Sequence, residues 1–209
     1  MKTVFINPER CIGCRQCEFA CAVAHSKSRD PATAIGERPA PHTRIHVLPG
    51  PAFNTSFPSR CRHCDPAPCV GVCPTGAMDR DEAQGVVLVD PERCITCAMC
   101  AMVCPFDAVD FHVQGNGAPA RLVATKCDGC IDRVREGRQP ACVEACKVGA
   151  LVYGELNDLI AAGRATQASA MLSAAASAGT LPAPAAVAGW RAWGREAAKV
   201  NREVGHGRS

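Results

Sequence analysis

Short runs of apolar residues recur along the first 155 positions, separated by stretches dense in Gly, Pro and Cys. Thr3–Ile6, Val86–Val89, Ala108–Val113 and Ala150–Tyr153 are such runs, and Arg44–Leu48 has a similar strand-like pattern. Their length and turn-rich borders predict short strands. From residue 156 onward the pattern changes: alanine dominates, and Leu159, Ile160, Met171 and Leu172 supply sparse apolar positions. Asn157-Asp158 can cap a helix running to about residue 178, Leu181-Pro182-Ala183-Pro184 stops it, and a second helix is expected near 187–204. No run approaches the roughly 18 uninterrupted apolar residues of a membrane span.

Composition changes this picture. Aromatic residues make up only 4% of the 209 positions while 16 are Cys, so bulky core fillers are scarce and either disulfides or metal must hold the fold. Met1 to Ile6 runs into Asn7-Pro8 too soon for a secretion signal, and no twin-arginine pair precedes it. A reducing, cytoplasmic setting is therefore expected, which favours metal. The cysteines fall into four blocks: Cys11, Cys14, Cys17 and Cys21; Cys61, Cys64, Cys69 and Cys73; Cys94, Cys97, Cys100 and Cys104; Cys127, Cys130, Cys142 and Cys146. Blocks one and three share the C-x2-C-x2-C-x3-C run of two-cluster ferredoxins, in which the fourth cysteine ligates the other cluster. Blocks two and four are the same run with insertions.

Three closely spaced cysteines on one tight loop can wrap three corners of an iron–sulfur cubane, and the fourth corner must come from elsewhere. The chain has usually entered a helix by the last cysteine, which then points to a neighbouring cluster, so two blocks exchange their last ligands. Pro74 and Pro105 follow the last cysteines of blocks two and three and are expected to end those helices. Asn7-Pro8-Glu9-Arg10-Cys11 echoes Asp90-Pro91-Glu92-Arg93-Cys94, which implies a duplicated unit. Residues 58–115 form a natural inner module around blocks two and three. Blocks one and four then make an outer module from 1–57 and 116–155, with residues 156–209 as an Ala-rich helical extension. The expected fold class is α+β: two interlocked bacterial-type ferredoxin modules plus that extension.

The formal charge is +3 with thiols counted as neutral. Each cubane bound by four thiolates is a unit of about −2, so four of them reverse the sign, and basic residues are expected to neutralise clusters. Nucleic acid is excluded, because no Lys/Arg run is long enough and stacking aromatics are scarce. The alternative is a zinc-stabilised interaction module. Zinc sites pair C-x2-C units across longer spacers, so the repeated rhythm fits them poorly. No nucleophile–base pair, phosphate loop or dinucleotide glycine motif occurs, and no catalysis is expected.

Residues 1–155 resemble the four-cluster, ferredoxin-like electron-transfer subunits of multisubunit oxidoreductases. These include the beta subunits of dimethyl sulfoxide reductase and formate dehydrogenase, the small subunit of formate hydrogenlyase, and ferredoxin partners of carbon monoxide dehydrogenase and tungsten aldehyde oxidoreductases. The resemblance rests on Cys11-Ile12-Gly13-Cys14-Arg15-Gln16-Cys17, on Arg62-His63-Cys64-Asp65-Pro66-Ala67-Pro68-Cys69 with Cys73-Pro74-Thr75-Gly76, and on Lys126-Cys127-Asp128-Gly129-Cys130 with Pro140-Ala141-Cys142. It implies four 4Fe-4S clusters. Cys11, Cys14 and Cys17 would share one with Cys146; Cys127, Cys130 and Cys142 one with Cys21; Cys61, Cys64 and Cys69 one with Cys104; and Cys94, Cys97 and Cys100 one with Cys73. It also implies a relay role beside a catalytic subunit oxidising aldehyde, formate, carbon monoxide or hydrogen, and a second redox subunit or carrier.

Other residues carry weaker expectations. His63 is read as capping a loop or donating to a sulfur, in preference to ligating a mixed His/Cys cluster. Lys126, Arg15, Arg62 and Arg93 either raise cluster potentials or are solvated loop ends, with equal weight. The proline-rich segment 22–60 is expected to be an ordered surface facing a partner. Trp190 and Trp193 lie one turn apart, suited either to anchoring in another chain, a copy of this one included, or to packing within the chain.

Overall fold

The computed structural model describes residues 2–51, 55–114, 121–177, 189–190 and 192–196. The chain divides into two compact units, Met1–Leu156 and Asn157–Ser209. In the first, β1 (Lys2–Ile6) and a 3-10 turn (Pro8–Arg10) lead to α1 (Gln16–Ala24), α2 (Pro31–Ala34), β2 (Ile45–Pro49) and β3 (Ser56–Arg60). There follow α3 (Pro68–Gly71), β4 (Met78–Asp81), β5 (Val86–Val89), α4 (Met99–Met102), β6 (Asp110–Gln114) and β7 (Arg121–Thr125). The unit closes with α5 (Ile131–Arg135), α6 (Ala141–Glu144) and β8 (Leu151–Glu155), after which α7 (Leu156–Ser177) begins. Residues 189–190 and 192–196 are helical, with Trp190 and Trp193 exposed and their rings 6.0 Å apart, edge to face. The Leu181–Pro184 stop lies outside the described residues.

All five expected strands form, displaced by at most two residues at either end. β3, β4 and β7 are additional to the expected strands, although β7 carries the apolar run Leu122-Val123-Ala124. β4 is Met-Asp-Arg-Asp, with three charged residues in four, and β3 carries Pro58 at its centre.

The strands pair antiparallel in four two-stranded sheets: β1 with β8, β2 with β3, β4 with β5, and β6 with β7. The first and last strands of the unit thus lie side by side. Two hairpins, β2–β3 and β6–β7, run across the borders at 57/58 and 115/116. Such small sheets are marginal alone, and the apolar core is correspondingly thin. One cluster gathers Val4, Ile45, Val47, Val143 and Leu151 around Cys17, Cys21 and Cys142. A second gathers Ala77, Met78, Val87, Val123 and Ala124 around Cys94 and Cys100. Eight of the sixteen cysteines are buried in the core itself, and Cys11, Cys69, Cys73 and Cys146 pack against its two clusters.

The echoed motif marks a structural duplication. After β1, the Asn7 amide donates to the Ala150 carbonyl at 2.8 Å; after β5, the Asp90 amide donates to the Ala77 carbonyl at 2.7 Å. Arg10 and Arg93, at matching positions, lie over matching glycines, Gly149 and Gly76. The strand before block one pairs with the strand after block four, just as the strand before block three pairs with the strand after block two.

The loop of block four contains a position where only glycine is comfortable. Gly129 has φ +69°, and a Cβ there would stand 2.9 Å from Val86 Cγ1. Gly129→Ala is expected to destabilise the loop by about 1–2 kcal/mol from the left-handed backbone alone, lowering the urea midpoint of unfolding followed by circular dichroism. An unchanged midpoint would contradict this.

Candidate metal centres

Each block begins with the same backbone reversal. The residue before the second cysteine is left-handed in all four: Gly13 (φ 70°), His63 (51°), Thr96 (60°) and Gly129 (69°). Two of these are not glycine, and each such residue costs roughly 1–2 kcal/mol, offset only if the loop's shape is needed. A second reversal falls three residues after the last cysteine in blocks two, three and four, at Gly76, Asp107 and Gly149, whose amides return to the carbonyls of Cys73, Cys104 and Cys146 at 3.3–3.4 Å. Block one differs because α1 carries straight on through Cys21 to Ala24. The expectation that proline ends the helices needs correction. α3, α4 and α6 all stop before the last cysteine, although no proline follows Cys146.

These loops bring the cysteines together in fours. Cys11, Cys14, Cys17 and Cys146 line one cavity with Val47, Pro58 and Leu151 (site I). Cys61, Cys64, Cys69 and Cys104 line another with Val87, Phe106 and Val109 (site III). Cys73, Cys94, Cys97 and Cys100 line a third with Met78, Val89 and Phe111 (site IV). The remaining four, Cys21, Cys127, Cys130 and Cys142, are all buried. Cys21 and Cys142 pack in one apolar cluster, and the electrostatic surroundings of each include Cys127 and Cys130, which groups the four as site II. Three cysteines of each set come from one block and one from another.

Burial makes these poor free thiolates. It pushes Cys17 and Cys130 up to about 11 and Cys21 up to about 12, and raises Cys142 well above the ordinary thiol value. A cation is what allows such sulfurs to ionise. Iron in a cubane suits four sulfurs set in an apolar wall.

Donors to sulfur are built into the backbone. The Arg44 amide meets Cys21 Sγ at 3.3 Å, His63 meets Cys61 at 3.4 Å, and Ala108 meets Cys104 at 3.4 Å. Gly129 meets Cys127 at 3.4 Å, and Met78 and Ala124 meet Cys73 and Cys94 at 3.5 Å. The donor to Cys61 is thus the His63 amide. The His63 ring Nδ1 lies 3.9 Å from the same sulfur but accepts the Val87 amide at 3.0 Å, so it ties the loop to β5 and has no proton to give the sulfur. Burial first, then Lys126 and Arg60, lower His63 to about 3, so the ring is neutral.

The segment between blocks one and two turns inward in part. Ile45 and Val47 enter the core, the Glu18 carboxylate accepts the Val47 amide at 2.5 Å, and Arg44 reaches Asp128 at 2.6 Å. Burial opposes ionisation of Asp128, yet the His25 hydrogen bond, the His25 charge and Arg44 hold it well below the usual carboxylate range.

The four flanking cations separate in this structure. Lys126 is buried and lines site III; Arg62 lines the same site, its guanidinium 5.4 Å and 5.5 Å from the Phe57 and Phe106 ring centres. Arg15 lines site I from an exposed position, and Arg93 is exposed and paired with Asp90. Arg60 was not singled out by the sequence, yet it is only 4% exposed and touches Cys127 Sγ at 3.5 Å.

Residues 52–156 match a 4Fe-4S dicluster domain, and residues 10–78 match a second. The chain belongs to the 4Fe-4S dicluster family. This dicluster protein is 41% identical over 160 residues to "Iron-sulfur protein" of Rhodospirillum rubrum, covering 74% of this chain and 82% of that one. It is 41% identical over 165 residues to "Electron transport protein HydN" of Escherichia coli (strain K12), covering 75% and 89%. To "Probable anaerobic dimethyl sulfoxide reductase chain YnfG" of the same organism it is 36% identical over 167 residues, 74% of each protein. Two dicluster domains correspond to four 4Fe-4S clusters, and sixteen cysteines fit that number. The dicluster matches favour iron–sulfur over the zinc alternative. A bound cluster supplies a one-electron redox couple; the protein supplies ligands, hydrogen bonds and insulation. Among the described residues, no helix is long and apolar enough to cross a membrane.

Proposed function

We propose that this chain is the electron-transfer subunit of a multisubunit oxidoreductase, carrying one 4Fe-4S cluster at each of sites I to IV and performing no substrate chemistry itself. The observation that carries this reading is the gathering of cysteines from two blocks into each four-sulfur site. The ligand sets are Cys11, Cys14, Cys17 and Cys146; Cys21, Cys127, Cys130 and Cys142; Cys61, Cys64, Cys69 and Cys104; and Cys73, Cys94, Cys97 and Cys100. Blocks one and four form one interlocked pair of sites, and blocks two and three form the other.

Electrons pass in the order I, II, III, IV or its reverse. Sites II and III adjoin where Arg60 precedes Cys61 and touches Cys127. At the two ends Cys14 and Cys97 are exposed, beside Ile12 at 68% and Ile95 at 62% exposure. Exposed apolar residues beside a redox centre suit docking of a partner. One end faces a catalytic subunit that oxidises aldehyde, formate, carbon monoxide or hydrogen, and the other a second redox subunit or carrier, in the cytoplasm. The Ala-rich extension with Trp190 and Trp193 holds a partner, or a second copy of this chain.

Anaerobic affinity purification of the tagged full chain from its native host tests this. A redox enzyme is expected to co-purify, and its substrate to bleach the visible iron–sulfur absorbance, while the chain alone turns over nothing. A chain ending at Glu155 is expected to keep its colour and lose the partner. Turnover by the isolated chain would contradict the relay, and full retention of the partner would contradict the role of the extension.

A further inference from the structure

A cation stands immediately before the first cysteine of every block: Arg10, Arg60, Arg93 and Lys126. Arg10 and Arg93 are exposed, where water and salt screen them. Arg60 and Lys126 are 4% and 3% exposed, and these two are the buried charged residues among the described ones. A buried cation is expensive unless it is paired. Lys126 is satisfied by backbone: its Nζ donates to the carbonyls of Val87 and Cys127. Arg60 is less well provided for. Nη2 donates to the Val4 carbonyl at 3.2 Å, Nη1 points at Cys127 Sγ at 3.5 Å, and Nε has no hydrogen-bond partner among the described residues. No carboxylate pairs with it among the described salt bridges. Its field reaches further into the same site: burial raises Cys142, and Arg60 acts against that rise.

We propose that Arg60 is the potential-setting residue of site II, a guanidinium fixed in the interior whose counter-charge is the cluster anion held by Cys21, Cys127, Cys130 and Cys142. The inference rests on the ligand sets proposed above. Adding an electron makes the cluster more negative, so a fixed cation at 3.5 Å from a ligand sulfur favours the reduced form and raises the potential. The low local dielectric leaves this attraction largely unscreened. Arg60 also ends β3 and holds β1 through the Val4 carbonyl, so the charge is locked in position.

The test is an anaerobic redox titration followed by electron paramagnetic resonance on the full chain, comparing Arg60→Gln, Arg60→Lys and, as control, Arg93→Gln. Site II is identified as the component that Cys142→Ser removes. Arg60→Gln keeps a donor but loses the charge. At the parent's midpoint it is expected to lower the reduced-to-oxidised ratio of that component about tenfold, equivalent to about 59 mV for one electron. Arg60→Lys is expected to recover most of the shift, and Arg93→Gln to move site II little. If Arg60→Gln fails to assemble, Arg60→Met, which also removes the charge, takes its place with the same tenfold loss expected. An unmoved site II in Arg60→Gln, or a loss in Arg60→Lys as large as in Arg60→Gln, would overturn the proposal. Failure of Cys142→Ser to remove a single component would instead overturn the ligand sets.

Discussion

Stripping iron from this protein is expected to unfold its first unit. Most of the ordinary sources of stability are weak there. The sheets have two strands each, α3, α4 and α6 are four residues long, and the two apolar clusters are built around cysteines. Fully burying a Val, Leu or Ile contributes about 1.5–3 kcal/mol, whereas one structural metal site contributes on the order of 10 kcal/mol of folding free energy. Iron loss also leaves Arg60 buried without a counter-charge. Chelation under reducing conditions should therefore abolish most of the strand signal in far-ultraviolet circular dichroism and expose surface that binds a hydrophobic dye. An apo protein that keeps its spectrum and melts cooperatively would show that the apolar clusters suffice.

Cys146→Ser is expected to damage site I and spare site II, although Cys146 lies only four residues beyond Cys142 in the chain. α6 separates the two sulfurs: Cys142 is buried within it among the site II cysteines, and Cys146 follows its end, facing the cavity of Cys11, Cys14 and Cys17. One of four paramagnetic components should disappear or take a three-iron form. It should be the component that Cys14→Ser perturbs and that Cys130→Ser leaves alone. The opposite pattern would mean that block four keeps its own last ligand.

The chemistry was legible because metal ligation fixes spacing. Cysteines at i, i+3 and i+6 have few other uses, and the Asn7–Cys11 and Asp90–Cys94 echo marks a duplication that the pairings β1–β8 and β4–β5 display. Strands with apolar runs were found close to their places. β4 was hidden because its residues Asp79 and Arg80 are surface-facing or half-buried charges, and only Met78 is deeply buried. The inward course of Ile45 and Val47 was hidden by the prolines around them, which made 22–60 read as an ordered surface facing a partner although Arg44–Leu48 read as a strand. Arg60 left one trace, the cation repeated before each first cysteine. What the sequence lacked was burial: Arg10 and Arg93 look the same as Arg60 until β3 carries Arg60 beneath β1 and against Cys127.

The central claim is four cubanes on sixteen cysteines, and counting iron tests it most directly. Iron and acid-labile sulfide measured on the anaerobically purified chain should each approach about sixteen per chain, four for every cubane. A reproducible value near eight, with the protein folded and brown, would contradict it.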